Sequence, residues 1–352
     1  MAESADDLLQ QLLAHISDTY DKTPGYITYD MLKSVALVLS GQLDRLEGIE
    51  DLLDVDNLTD ALLEAFVRQR KGLSRNPATK ARGVLLVSGN GTVTMGDLFE
   101  TSSGVQFSAT ETKSISGNGQ VNVLAMKAGA SGNVPAGQIT QIPVTIPGIT
   151  SVTNPEPTHD GFEAETDDSL RARYYVAVRT PPTSANVYQY LQWALEVPGV
   201  GEAKVFPVER GPNTVEVIII DQDRLPPSES LVDAVQSFID PNSEGLGNGA
   251  APIGAKCFVL GATALSLNIN VTVQIMTGYT ESEVQANIET SIREYLKSIA
   301  FQQNYVSHAR IGESILNSDG VEDYSGLLIN GLAENPQVGA KEVAVLGGVL
   351  LE

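Results

Sequence analysis

Residues 1–76 read as helices, residues 77–157 as short strands and turns, and the rest as alternating helices and strands. The chain is therefore expected to be α+β and multidomain, with an N-terminal helical bundle segment (1–76), a small β-rich module (77–157), a central α/β domain (158–261) and a C-terminal α/β domain (262–352). Three features carry this expectation. Apolar residues recur at helical spacing as far as Val67. Charge then almost disappears from Gly83 to Pro155, where Asp97, Glu100, Glu111, Lys113 and Lys127 are the only charged residues among β-branched residues, glycines and prolines. Near the end, Leu265, Leu267, Ile269, Val271, Val273 and Ile275 alternate strictly with polar residues, the mark of a strand with one buried face.

In chain order, Leu8, Leu9, Leu12, Leu13 and Ile16 form the apolar stripe of a first helix, which the turn at Thr23–Tyr26 ends. In the second helix Leu32, Ala36, Leu39, Leu43 and Leu46 are spaced 4, 3, 4, 3, and Leu53 continues the phase. Such a seam suits a coiled coil of about three heptads, and it also suits an ordinary helix that faces its own core. A third helix is expected from about Asn57 to Lys71, with Gly72 as its C-cap. In the β module, Asn90-Gly91 and Asn118-Gly119 lie between strand-like runs and are expected to form tight hairpin turns.

Beyond the module, Thr166 is expected to cap a helix that carries Asp167 and Asp168 in its first turn, where the dipole favours acids. Ser184 is expected to open a helix through Glu196, followed by strands at Ala203–Val208 and Val215–Asp221. Ser228 or Ser230 opens the next helix, and a glycine-rich loop leads to a strand at Lys256–Leu260. Thr280 and Glu283 form a capping box for a helix whose Val284, Ile288, Ile292, Tyr295 and Ile299 share one face. A short helix near Ala309–Leu316 and strands at Val321–Asn330 and Glu342–Leu350 complete the chain. The passages Leu195–Val208 and Leu316–Ile329 both run from a helix end through Gly-Val into a strand, which suggests two related αββ units.

Composition narrows the function. The 22 basic and 44 acidic residues leave a net charge of −22, which excludes a general nucleic-acid binder and favours basic partners. Cys257 is the only cysteine, so no intrachain disulfide and no cysteine-built zinc site is possible. The acidic first residues and the lack of an apolar run of about 18 residues give no sign of a signal peptide or of membrane insertion. Charge is also unevenly spread. Residues 1–66 hold 14 acids against three cations, whereas residues 67–82 hold Arg68, Arg70, Lys71, Arg75, Lys80 and Arg82 and no acid. This run reads as a solvated helix end or as a surface that pairs with an acidic neighbouring subunit.

Little here points to catalysis. His159, Asp160, Glu163, Glu165, Asp167 and Asp168 concentrate metal-ligating types, yet their spacing fits neither a His-Glu-x-x-His helix nor a calcium loop, so a helix start that complements the dipole is the simpler reading. The chain has no Gly-x-Ser-x-Gly elbow, no Walker loop and no Cys/His nucleophile pair. No catalytic residue, metal or cofactor is expected. The competing class is a tail-associated module that binds or cleaves glycans, which would need aromatic platforms, and residues 83–157 contain only Phe99 and Phe107 as aromatics.

One long ordered pattern goes further. From Ser131 to Arg179 the chain runs Gly-Asn-Val, Ala-Gly-Gln-Ile, Pro-Gly-Ile-Thr-Ser-Val-Thr-Asn-Pro, then an acidic stretch closing on Leu-Arg-Ala-Arg. This order, together with Ala-Thr-Lys-Ala before the β module and Gly-Val-Glu-Asp-Tyr near the end, resembles the baseplate J-like family of contractile phage tails. The resemblance implies a structural wedge protein of a phage or tailocin baseplate. In it two copies of the chain join one smaller wedge protein through an N-terminal helical bundle, and wedges link into a ring around a hub and spike, next to sheath-initiating proteins. It also implies assembly in the bacterial host cytoplasm. A ring built from chains of net charge −22 would need a charge-complementary contact, for which the cationic run is the concentrated candidate.

Overall fold

The computed structural model describes residues 3–52, 54–179 and 184–352, which form a mixed α+β, multidomain chain. It resolves into two compact units, Met1–Ser74 with Thr166–Tyr174, and Arg75–Glu165 with Tyr175–Glu352.

The first unit is helical. Helix α1 (Ala5–Ala14) starts at Ser4, whose side chain accepts from the Asp7 amide, and α2 (Ile27–Asp51) folds back on it. Leu8, Leu9, Leu12 and Leu13 of α1 pack with Tyr29, Leu32, Ala36 and Leu43 of α2. A single turn at Val55–Asn57 leads to α3 (Asp60–Lys71), later than the sequence suggested, and Gly72 ends it in the left-handed region at φ 72°. The first turns of α4 (Asp167–Arg179) belong to this unit as well. Arg171 donates from Nε to the Val55 carbonyl at 3.2 Å and from Nη2 to the Leu58 carbonyl at 2.8 Å, and Phe66 meets the Tyr174 ring edge-on at 5.7 Å. Thr166 caps as expected, its Oγ1 accepting from the Ser169 amide at 3.3 Å.

The second unit opens with a nearly closed barrel of β1 (Arg82–Val93), β2 (Leu98–Thr101), β3 (Gln106–Ala109), β4 (Lys113–Ala125), β5 (Ile139–Gln141) and β6 (Ile149–Thr153), in the order β5-β2-β3-β4-β1-β6. Asn154, just past β6, draws its ends together by accepting from the Ile139 and Gly137 amides, at 2.9 and 2.7 Å. Leu85, Val87, Phe99, Phe107, Val121 and Ile139 fill the interior.

The expected hairpin turns at Asn90-Gly91 and Asn118-Gly119 do not form. Both Ser-Gly-Asn-Gly stretches lie inside long strands and pair with each other, Ser88 opposite Asn118 and Gly89 opposite Gly117. Their role follows from chain length. Ala109 pairs with Val123, and Lys113 is only four residues beyond Ala109, at most about 14 Å of chain, whereas a straight strand from Lys113 to Val123 would span about 33 Å. Strand β4 must therefore bend sharply, and β1 bends with it. Gly89 at φ 140° and Gly117 at φ 79° let two paired strands turn this barrel corner together.

The middle sheet has the order β7-β8-β9, from β7 (Val200–Pro207), β8 (Thr214–Asp221) and β9 (Lys256–Gly261), with α5 (Val187–Glu196) and α6 (Glu229–Ile239) alongside. Helix α5 is capped by Asn186, whose side chain accepts from the Gln189 amide at 2.9 Å, and not by Ser184. Ser228 is the cap of α6. The free edge of β9 is closed by side chains: Gln236 donates to the Cys257 carbonyl at 3.0 Å and accepts from the Val259 amide at 2.7 Å, while Asp240 accepts from the Cys257 amide at 2.9 Å. An edge so covered offers no template for a stray strand.

The C-terminal sheet has the order β11-β10-β12, from β10 (Thr263–Ile275), β11 (Val321–Ile329) and β12 (Glu342–Leu351). Helices α7 (Glu281–Ile299) and α8 (His308–Leu316) cover one face, and the Thr280–Glu283 capping box is present. The suggested αββ repeat does not extend to topology. Gly199 and Gly320 serve the same left-handed turn into β7 and β11, at φ 99° and 89°. After that the chains differ, because β7 pairs with the next strand whereas β11 pairs with the earlier β10. Shared loop chemistry produced the likeness.

Strand β8 is apolar on both faces. Val217 and Ile219 belong to the core under α5 and α6, and Ile218 and Ile220 to a second core with Ala262, Ala300, Phe301 and Val343 of the C-terminal part.

Candidate assembly interface

A buried stripe on one side of a helix ordinarily leaves a polar face outside, and α2 breaks that rule. At 3.6 residues per turn, Tyr29, Leu32, Ala36 and Leu43 fall within a sector of roughly 60° that faces α1. Ile27, Met31, Val38, Ile49 and Leu52 fall within a second sector of roughly 60°, about 150° away, and all are exposed. Ile27 is 77% exposed, Val38 64% and Ile49 55%. Val35, Leu39 and Leu46 widen this second stripe and are exposed too. Eight large apolar side chains along one helix exceed the scatter a soluble surface normally carries, and such a patch marks a surface that another chain covers.

The residues singled out in the sequence therefore divide. Leu32, Ala36 and Leu43 pack against α1 of the same chain, Leu39 and Leu46 lie on the open side, and Leu53 lies outside the described residues. Ile27, Met31, Val35, Val38, Ile49 and Leu52 were missed. Their 4, 4, 3 start was visible in the sequence, but the leucine-rich phase drew the eye to the face that α1 occupies.

The cationic run divides as well. Arg68, Arg70 and Lys71 stand exposed in the last turn of α3, with Arg70 lying 5.1 Å over the Phe66 ring. None of the three has an ion pair among the described residues. Arg75 instead donates to the Glu165 carbonyl, and Glu165 in turn accepts from the Asn76 amide at 3.0 Å. Arg82 lies 3.4 Å from Asp160, and Lys80 is exposed.

The acids between residues 159 and 168 are occupied in folding. Asp160, in the left-handed region at φ 66°, accepts from Ser228 at 2.5 Å and from Ser230, at the start of α6, with His159 Nδ1 at 3.1 Å. Burial alone would raise the Asp160 carboxyl, but hydrogen bonds from His159, Ser228 and Ser230 outweigh it and hold it down at about 2. Glu163 accepts from the Ala130 amide at 2.9 Å, Asp167 from the Asp60 amide at 2.9 Å, and Asp168 pairs with Arg171 at 2.8 Å. Among the described residues no three His, Cys, Asp and Glu side chains are placed to share a metal ion.

Two further carboxylates are perturbed. Glu216, buried beside the second β8 core, receives Lys341 Nζ at 2.6 Å and Arg210 Nε at 2.8 Å. Burial pushes its carboxyl up and these two partners pull it below the ordinary range. Asp221 has no cation partner. Burial, with Asp223 and Asp160 near, lifts it to about 7 against the opposing hydrogen bond from the Leu225 amide at 2.8 Å. Burial and nearby Asp240 likewise push the Cys257 thiol up to about 12, so it is no nucleophile at neutral pH. Phe99 and Phe107 lie wholly inside the barrel, so this module presents no aromatic platform to a sugar. No helix of the described residues is long and apolar enough to cross a membrane.

Comparison with known proteins returns three family models in succession. They are the baseplate J-like protein barrel domain at residues 79–161, the baseplate J-like central domain at 182–261 and the baseplate J-like protein C-terminal domain at 267–352. Relatives include the uncharacterized protein YqbT of Bacillus subtilis, 32% identical over 99% of this chain and 97% of its own length. The phage-like element PBSX protein XkdT of the same species is 31% identical over 99% and 97%. Baseplate protein gp47 of Escherichia phage Mu is 27% identical over 72% of each. Among solved structures, a chain of the anti-feeding prophage baseplate aligns over 97% of this chain and 89% of its own, with a TM-score of 0.37 and 11% identity.

Proposed function

Because the chain belongs to the baseplate J-like family, we propose that it is a wedge component of a contractile-tail baseplate, joined through α2 to a second copy of itself and to a smaller partner protein. That it is a structural component of a baseplate, assembled with other baseplate proteins, follows from the family. The wedge stoichiometry, the linking of wedges into a ring around a hub, and assembly in the host cytoplasm are the finer parts of the proposal. Residues 1–76, 77–157, 158–261 and 262–352 are its working divisions.

The observation that carries this reading is the second apolar stripe of α2. One face of the helix is satisfied by α1 and the other is left to water, an arrangement stable in solution only at a cost and natural once further helices cover it. Leu39 and Leu46 would join Ile27, Met31, Val35, Val38 and Ile49 in that contact, while Leu32, Ala36 and Leu43 hold α1 in place. The role is mechanical, with no bond made or broken. Contacts that have two arrangements hold the baseplate in one state and release it into another.

The test is to coexpress the chain with its neighbouring gene products and measure the mass of the purified complex. Val35→Glu with Val38→Glu should abolish copurification while circular dichroism remains that of the parent. A complex of unchanged mass would remove α2 from the interface.

A further inference from the structure

The structure also separates cations that are free to meet another molecule from those that are not. Arg75, Arg82, Arg171, Arg210, Arg224, Arg293, Arg310 and Lys341 are each engaged by a carboxylate or carbonyl of the chain itself. Arg68, Arg70 and Lys71 are not, and they stand together in one helical turn. On a chain of net charge −22, three adjacent unpaired cations form a local inversion of sign.

The same inspection narrows what they meet. The acids from Asp160 to Asp168 are taken up by amides, hydroxyls and Arg171. Glu202 and Glu216 are held by Arg224, Gln302, Arg210 and Lys341. What remains in concentration is the α1–α2 hairpin. Asp6, Asp30 and Asp44 are exposed there and have no cation partner among the described residues, and Asp30 and Asp44 lie on one flank of α2 beside its open apolar stripe.

We infer that Arg68, Arg70 and Lys71 dock on the acidic α1–α2 flank of a second copy of this chain, a head-to-tail contact that links one copy to the next. The inference rests on the reading of the chain as a baseplate component, and it makes the α3 terminus the element that propagates the assembly. The apolar stripe and the basic turn then do separate work: one holds helices together within a bundle and the other selects the neighbour and its direction. Ionic strength distinguishes them. The basic contact should weaken between about 0.1 M and about 1 M salt, as the screening length falls from about 10 Å to about 3 Å. The α2 contact should persist.

The experiment reconstitutes two differently tagged full-length copies with the neighbouring baseplate proteins and maps copy-to-copy cross-links by mass spectrometry. Replacing Arg68, Arg70 and Lys71 by Glu in one copy should reduce cross-links from its α3 to the other copy's α1–α2 at least tenfold. Changing Asp6, Asp30 and Asp44 to Lys in the other copy should bring them back. Cross-links that persist in the first variant, a swap that restores nothing, or cross-links running from α3 to a different protein would each overturn the inference. The milder Gln triple variant, which cannot repel, should fall between parent and Glu variant, and it guards against misfolding as the cause. Failure of the bundle reading looks different: the Val35→Glu, Val38→Glu chain would assemble normally while the basic variant still would not.

Discussion

The barrel corner allows the sharpest test, because a single methyl group can be placed there and its cost reckoned. Gly148, at φ 81°, follows Pro147 on the approach to β6, and its carbonyl accepts from the Asn90 amide at 2.6 Å. A Cβ at this position would overlap the Asn90 carbonyl oxygen and lie 2.7 Å from the carbonyl carbon and 3.1 Å from the Gly91 Cα. All of these are backbone atoms, so no side chain can swing aside. Gly148→Ala then loses on three counts: about 1–2 kcal/mol for an L-residue in the left-handed region, about 1 kcal/mol for the hydrogen bond to Asn90, and about 1–3 kcal/mol for an overpacked contact. The total is about 3–6 kcal/mol. Gly117→Ala is the control. It has a similar φ of 79° with nothing within 4 Å of the added carbon, so only the conformational cost of about 1–2 kcal/mol applies. Because the chain has several cores, the assay should be local. Hydrogen exchange of the peptide covering β1 should accelerate at least about a hundredfold in Gly148→Ala and about tenfold in Gly117→Ala. Equal acceleration in the two variants would refute the argument, since backbone conformation alone would then account for both.

Other outcomes follow from the buried carboxylates. Asp221 titrates near 7 in the folded chain and near 4 when unfolded, so its contribution to stability is complete below about pH 4 and is lost as pH rises through about 7. Asp221→Asn should therefore raise the melting temperature at about pH 8 and leave it nearly unchanged at about pH 5, as scanning calorimetry would show. Glu216 has the opposite sign, since its lowered carboxyl contributes stability above the ordinary Glu range that is lost as pH falls through its folded value. Glu216→Gln should accordingly cost most at neutral pH and least in acid, read by urea unfolding across that range. Phe162, buried in the core beneath α5 and α6, should cost about 3–5 kcal/mol when changed to Ala, visible as faster exchange in those helices.

The elements that could be read from sequence are those whose signal is local. The capping box at Thr280, the strict alternation of Leu265 to Ile275 and the Gly72 cap each depend on a few consecutive residues, and each stands in the structure. Asn90-Gly91 and Asn118-Gly119 were misread because the turn preference of Asn-Gly is also local, whereas their pairing across a bend joins residues about thirty apart. The division of α4 was equally hidden, since nothing in Asp167–Arg179 tells that its first turns pack with Val55, Leu58 and Phe66. On α2 the heptad spacing was visible, but which of two apolar stripes stays open was decided by α1. The splitting of the cationic run followed from the same cause. Arg75 and Arg82 read like Arg68 and Arg70 until the fold brings Glu165 and Asp160 to them.

Strand β8 has a mechanical meaning beyond its packing. With Val217 and Ile219 in one core and Ile218 and Ile220 in the next, it acts as a party wall, and neither side can be drawn away without exposing the strand that the other side is built on. Glu216 and Glu202 rivet the two ends of that wall to Lys341 and Gln302. A pull on the C-terminal sheet is thus delivered undiminished to the middle sheet, with no soft layer between them in which strain could be absorbed.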